Sequence, residues 1–306
     1  MGEVVAALDC GTNSTRVLIA SATGEPLARE MRITRLGQGV DASGALASEA
    51  IDRVLAALRE FRDLMDHFGV TRGRLAATSA ARDASNGSAF LAAASEVAGV
   101  EAEILSGEEE GALSFAGAMA GLAPSGGDDV VLDIGGGSTE VVLSRDGVLF
   151  AHSMQVGCVR VAERTLASDP PSAEELAAAR SMAEVALDGA YAAIPQLREL
   201  RPGSRLVGLA GTVATLAMLD QGLVDYDRER VHHHWLSIDA VTHWRIVLSS
   251  EDSEARRRRP GMVPGREDVI LGGLVVLEAC LERFGLEGLL TSESDILDGM
   301  VAALVR

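Results

Sequence analysis

Two ten-residue segments carry the residues best suited to chemistry. Residues 8–17 read LDCGTNSTRV and residues 132–141 read LDIGGGSTEV; without gaps they agree at six of ten positions, namely Leu, Asp, Gly, Ser, Thr and Val. Glycine at Gly11, and at Gly135, Gly136 and Gly137, lets backbone N–H groups converge on an anion. Thr12, Asn13, Ser14, Ser138 and Thr139 add neutral donors, and Arg16 is the one cation in either segment. A phosphate cradled with so little positive charge calls for a divalent cation such as Mg²⁺. Asp9 and Asp133 are placed to hold one through water.

Further candidates lie outside this pair. Glu108, Glu109 and Glu110 follow Leu105-Ser106-Gly107. They suit the first turn of a helix capped by Ser106. One of them, beside bound phosphate, would equally serve to activate a water. Arg82 offers a guanidinium fork that matches phosphate oxygens, with a surface pair to Asp83 or Asp63 as the plainer reading. A third glycine turn, around Gly211 and Thr212, reads as buried strand, turn and helix start. Its helix N-terminus suits an anion, although packing is the simpler explanation of its glycines. Its spacing is not that of a dinucleotide fingerprint. His232, His233 and His234, if on a strand, point to alternate faces and leave zinc without a third ligand. Arg256 to Arg259 form either a polyanion path or a solvated helix end. Asp295 and Asp298, after Ser294, read as the start of a last helix.

These residues need elements to hold them. An apolar run precedes and follows each repeated segment, so each is a β-hairpin with a polar tip. Helical periodicity covers residues 47–68, 89–98, 108–119, 172–194, 238–249, 268–284 and 296–305, with short strands at 75–79, 102–105 and 206–209. This is alternating α/β organisation in two related domains facing a cleft. The Gly/Pro-rich stretch 121–128 is the linker expected, dividing residues 1–124 from 125–306. The apolar helix at 269–281 suits either a homodimer interface or a buried core.

Composition removes whole classes of function. At 306 residues the chain exceeds what one core usually holds. Acidic residues outnumber basic ones 45 to 27, a net charge of −18, which argues against nucleic-acid binding and against docking on an anionic membrane. The chain has no lysine, which excludes a Walker-type phosphate loop, a protein kinase and Schiff-base chemistry. Aromatic residues are 3%, too few for base-stacking platforms. Cys10, Cys158 and Cys280 form no disulfide framework, and neither a signal peptide nor a stretch of 18 apolar residues is present. A soluble cytoplasmic protein is expected.

Taken in order, ALDCGTNSTRVLI, ATSAARDASN, ILSGEEEGA, VVLDIGGGSTEVVLS, the stretch Val156-Gly157-Cys158-Val159-Arg160, LAGTVATLA, PGMVPGREDVILGG and SDILDGM resemble the exopolyphosphatase/guanosine pentaphosphate phosphohydrolase (Ppx/GppA) family, from Ala6 to Met300. The resemblance implies two ribonuclease-H-like domains of the actin/hexokinase/heat-shock-protein-70 superfamily around a cleft. It implies Mg²⁺-dependent hydrolysis of the terminal phosphoanhydride of inorganic polyphosphate, or of guanosine pentaphosphate. It puts the catalytic carboxylate at Glu110, with Glu109 as a neighbouring candidate. It puts acidic cleft residues at Asp133 and Glu140, which with Asp9 would hold the metal. The phosphate loops fall at Gly11 to Ser14 and Gly135 to Thr139, with Arg82, Gly211 and Thr212 as further phosphate contacts. Two departures stand out. Ala112 occupies a position where many members have arginine, and the chain resembles the short, two-domain type, so shorter polyphosphates are the substrate expected. A sugar or acetate kinase, an actin-like filament former and a non-catalytic polyphosphate or alarmone sensor are the rival expectations.

Overall fold

The computed structural model describes residues 3–305 and divides into two units. The first comprises residues up to Gly117 together with those from Asp295 onward; the second is Ala118–Ser294.

In the first unit, β1 (Val4–Cys10), β2 (Ser14–Ser21) and β3 (Pro26–Ile33) form an antiparallel meander, and β4 (Arg72–Ala77) and β5 (Ala102–Ile104) continue the sheet in parallel, in the order β3-β2-β1-β4-β5. β1 is apolar almost throughout because helices cover both of its faces. Successive side chains alternate between those faces. Ala6, Leu8 and Cys10 pack with Leu58, Phe61 and Met65 of helix Ser48–Phe68 and with Phe90 of helix Gly87–Ala98. Val5 and Ala7 pack with Leu297, Met300 and Val301 of the last helix, Ile296–Leu304.

The second unit repeats this plan. β6 (Asp129–Ile134), β7 (Thr139–Arg145) and β8 (Val148–Met154) form the meander, and β9 (Arg205–Leu209) and β11 (Gly288–Thr291) run parallel to β6. The order β8-β7-β6-β9-β11 matches the first sheet strand for strand, and β10 (Trp235–Ser237) adds an antiparallel edge beside β11. The two related α/β domains expected from the paired hairpins are therefore present.

Two expectations are corrected. Residues 295–305 do not belong with the second unit, and the first ends near 117 rather than 124. The apolar stripe Ile296-Leu297-Met300-Val301 is legible as a helix face, but its spacing does not say which sheet receives it. The apolar helix Ile270–Phe284 is buried within its own unit, from Ile270 through Leu281, so it is a core helix with no face left for a partner.

Candidate active site

The residues in question gather where parallel strands end, the edge at which open α/β sheets place their ligands. In the first unit β1 stops at Cys10 and the chain turns through Gly11, Thr12 and Asn13 into β2. Gly11 N–H donates to Ser14 O at 3.0 Å, closing the turn. The segment after β3 lies against it: Gly37 N–H donates to Thr12 O at 2.8 Å, and the N–H groups of Thr34 and Arg35 donate to Asn13 O at 3.1 and 3.0 Å. A side chain at Gly37 would lie 2.2 Å from Thr12 Cγ2, so only glycine allows that approach. Thr12 and Asn13 are buried, and Asn13 Nδ2 is buried with no hydrogen-bond partner.

β4 ends beside Cys10 and leads into helix Ser79–Asp83, which carries Arg82. β5 leads through Ser106 into helix Gly107–Met119. Ser106 and Glu109 form a reciprocal cap there: Glu109 N–H donates to Ser106 Oγ at 3.2 Å and Ser106 N–H to Glu109 Oε2 at 2.9 Å. Those hydrogen bonds from Ser106 hold the exposed Glu109 carboxyl below its ordinary range. Glu109 thus serves the helix end. Glu110 instead accepts from Arg82 Nη1 at 3.3 Å, and its side chain is only 12% exposed. Arg82 Nη1 also donates to Leu105 O at 2.8 Å, while its Nη2 is buried without an acceptor. An anion-binding fork and an acid candidate are therefore brought together, and the surface pairing of Arg82 with Asp63 is set aside.

In the second unit β6 ends at Ile134 and the chain turns through Gly135, Gly136, Gly137 and Ser138 into β7. Asp133 and Glu140 are directly opposite in the antiparallel ladder, so they share one face. Both are buried, at 9% and 2% exposure, and Ser153 Oγ donates to Glu140 Oε1 at 2.6 Å. Two buried neighbouring carboxylates repel unless a cation lies between them.

The same register in the first unit pairs Asp9 with Arg16. Arg16 Nε and Nη2 both donate to Asp9 Oδ2, at 3.0 and 2.6 Å, and Arg16 Nη1 reaches Asp295, the cap of the last helix. Arg29 completes the group, with Asp298 Oδ2 at 2.5 Å. Burial pushes the Asp9 carboxyl up, with Arg16 opposing. Burial acts the same way on Asp295, but Arg16 and Arg29 hold that carboxyl below its usual range. At the position facing the aspartate the duplicated hairpins have diverged: arginine answers it in the first, and glutamate joins it in the second. Of the three expected metal carboxylates, Asp133 and Glu140 are thus brought together. Asp9 belongs to the other unit and has one oxygen committed to Arg16, with Oδ1 buried and without a hydrogen-bond partner. Among the described residues no three His, Cys, Asp or Glu side chains form a metal cage. Mg²⁺ needs none, since one or two carboxylates plus substrate phosphates and water are its usual ligands.

The other candidates resolve into packing. A side chain on Gly211 would lie 1.7 Å from Arg266 Cζ, and Thr212 is buried against Gly273, so the third turn makes room for the Arg266 guanidinium and the core helix. The histidines are not on a strand. They follow the short helix Arg228–Val231, with the rings of His232 and His233 stacked at 3.7 Å and His234 Nε2 at 2.9 Å from Asp220 Oδ2. Each arginine of the 256–259 run pairs with an acid: Asp169, Glu267, Glu254 and Glu251 in turn. The run is neutralised and presents no polyanion path. Burial pushes the Cys10 and Cys158 thiols up, so neither supplies a thiolate. Sequence reasoning missed Gly37, Arg266 and the Arg16–Asp295–Arg29–Asp298 group, whose members come together only through the sheet and the returning helix.

The model of the Ppx/GppA phosphatase family matches residues 18–305. The chain belongs to the Ppx/GppA phosphatase family. It is 42% identical to "Exopolyphosphatase 2" of Mycobacterium tuberculosis, covering 98% of each chain. A crystal structure of an exopolyphosphatase-like protein superposes with a TM-score of 0.92 at 35% identity, covering 99% of each chain. The Ppx/GppA family member of Aquifex aeolicus superposes at 0.81 with 30% identity, over 99% of this chain and 98% of that one. Among the described residues no helix is long and apolar enough to cross a membrane.

Proposed function

We propose that this Ppx/GppA protein is an exopolyphosphatase, cleaving the terminal phosphoanhydride of inorganic polyphosphate with water. A chain of n phosphates plus water gives n−1 phosphates plus orthophosphate. The observation that carries this reading is the buried pair Asp133 and Glu140, set opposite each other at the base of a glycine loop that carries no cation of its own. That donor set fits Mg²⁺ shared with a phosphate. When bound, the ion would neutralise charge on the terminal phosphoryl oxygens. Asp133 and Glu140 would hold it or its water shell.

The chain's own residues do the rest. In the second unit Ser138 and the loop N–H groups bind phosphoryl oxygens, where donors aimed at developing charge matter most, and in the first unit Thr12 and the Asn13 amide offer donors of the same kind. Arg82, through its unpaired Nη2, binds a further oxygen and steadies Glu110 through Nη1. Glu110 accepts the proton of the attacking water.

The test is orthophosphate release with Mg²⁺ from polyphosphates of defined length, beside guanosine pentaphosphate. Release from polyphosphate, strongest for shorter chains, supports the reading. A kcat/KM favouring guanosine pentaphosphate would assign the same chemistry to that substrate. Binding without release from either would make the protein a sensor and overturn the proposal.

A further inference from the structure

The segment Val156-Gly157-Cys158-Val159-Arg160 has no part in the chemistry above, yet it bears directly on the second loop. Helix Cys158–Thr165 starts against it. Cys158 N–H donates to Gly135 O at 2.9 Å, and the N–H groups of Val159 and Arg160 donate to Gly136 O at 2.9 and 3.1 Å. The Arg160 side chain continues the series, with Nε donating to Gly137 O at 2.7 Å. Three consecutive loop carbonyls are therefore pinned to one side.

The consequence follows from peptide geometry. In a trans peptide the N–H points opposite to its C=O. Pinning the carbonyls of Gly135, Gly136 and Gly137 turns the N–H groups of Gly136, Gly137 and Ser138 the other way as a set. Among the described residues these three N–H groups have no acceptor. Gly157 makes the approach possible, since a Cβ there would lie 2.5 Å from Gly136 O and 2.7 Å from Gly135 O. In the first unit the backbone of residues 34–37 pins Thr12 O and Asn13 O by itself. Only the second loop uses a side chain for the last carbonyl.

We propose that Arg160 is a positioning residue: by holding Gly137 O through Nε, it presents the Ser138 N–H to the phosphoryl group. The inference rests on reading residues 135–139 as the phosphate loop of a phosphoanhydride hydrolase. It therefore needs one readout of turnover and one of binding geometry. The experiment uses the full chain as wild type, Arg160→Ala and Gly157→Ala, the last displacing the helix start with Arg160 intact. Amide resonances of Gly136, Gly137 and Ser138 are followed by ¹⁵N NMR on addition of tripolyphosphate. Orthophosphate release is measured in parallel, with and without free guanidinium.

The expected result is a tripolyphosphate-induced shift at Ser138 in the wild type that is lost in both variants. In Arg160→Ala, kcat falls by about 10–10² with KM changing less, because the donor acts on charge that develops in the transition state. Guanidinium restores part of that rate. A Ser138 shift retained in Arg160→Ala, or no shift at residues 136–138 in the wild type, overturns the inference. An unchanged kcat with raised KM also overturns it, by making Arg160 a direct substrate cation. A wild type that binds tripolyphosphate at these amides but releases no phosphate defeats the hydrolase reading alone, and the NMR comparison still decides the role of Arg160. If Arg160→Ala fails to fold, Arg160→Met, which keeps an unbranched apolar stem but removes the Nε donor, carries the same comparison.

Discussion

Substituting Gly157 by alanine adds one methyl group at the tightest point behind the second loop. The nearest atoms to that methyl are backbone, Gly136 O at 2.5 Å, Gly136 C at 2.6 Å and Gly135 O at 2.7 Å, so no flexible side chain can swing away. Ordinary contact begins near 3.4 Å, so the loop or the helix start must retreat by about 0.9 Å. Overpacking of this kind costs about 1–3 kcal/mol of stability. The larger effect falls on turnover, because a misplacement of about 1 Å costs on the order of 10² in rate. The assay is orthophosphate release from a short polyphosphate at saturating Mg²⁺, beside a thermal melt. Gly189→Ala is the control. That glycine lies in helix Ala173–Ala193, where a Cβ would find its nearest neighbour, His152 Nε2, at an easy 3.9 Å. Activity of Gly157→Ala within about threefold of wild type would refute the claim that the helix start sets the loop, given the size of displacement required.

The remaining predictions concern stability. Gly189→Ala stabilises the chain by about 0.5–1 kcal/mol with turnover unchanged, since it removes a helix-interior glycine without a clash; a melt and a rate measurement check both halves. Leu297→Ala destabilises by about 2–5 kcal/mol, because Leu297 is fully buried on the first sheet; denaturant unfolding would show less than 1 kcal/mol if the last helix were not docked there. Glu175 caps helix Ala173–Ala193 and accepts from Ser168, Ser172 and Ala167, hydrogen bonds that bring its carboxyl down from 4.5 to about 2. Its folded value lies below its unfolded one, so its contribution is present above pH 4.5 and is lost as pH falls toward 2. Glu175→Gln therefore melts lower than wild type at pH 7, and the two melting curves converge on acidification. A constant gap across that range would contradict the assignment.

Much of this fold is legible in the sequence because its periodicities are local. The paired hairpins announce themselves through Asp, Gly, Ser and Thr at matching positions, and the strand orders of the two sheets bear out the duplication. Glu109 and Glu110 illustrate the limit. Both lie in the first turn of the same helix, and only the hydrogen bonds of Ser106 and Arg82 tell a capping residue from a chemical one. Arg16 is similar: as a residue it is a cation near a glycine loop, and only the register opposite Asp9 reveals that its charge is already committed. The docking of the last helix, the pairing of Arg256 with Asp169 and the guanidinium of Arg266 over Gly211 depend on partners distant in the chain, which no local pattern encodes.

Glu110 is where the account is most exposed. Glu110→Gln keeps the size of the side chain and an oxygen for Arg82, yet removes the base. Its kcat for orthophosphate release from polyphosphate, measured beside its melting temperature, should fall by about 10²–10⁴ while the fold is retained. A folded Glu110→Gln that keeps more than about a tenth of wild-type turnover would contradict the assignment of Glu110 as the group that takes the proton of water.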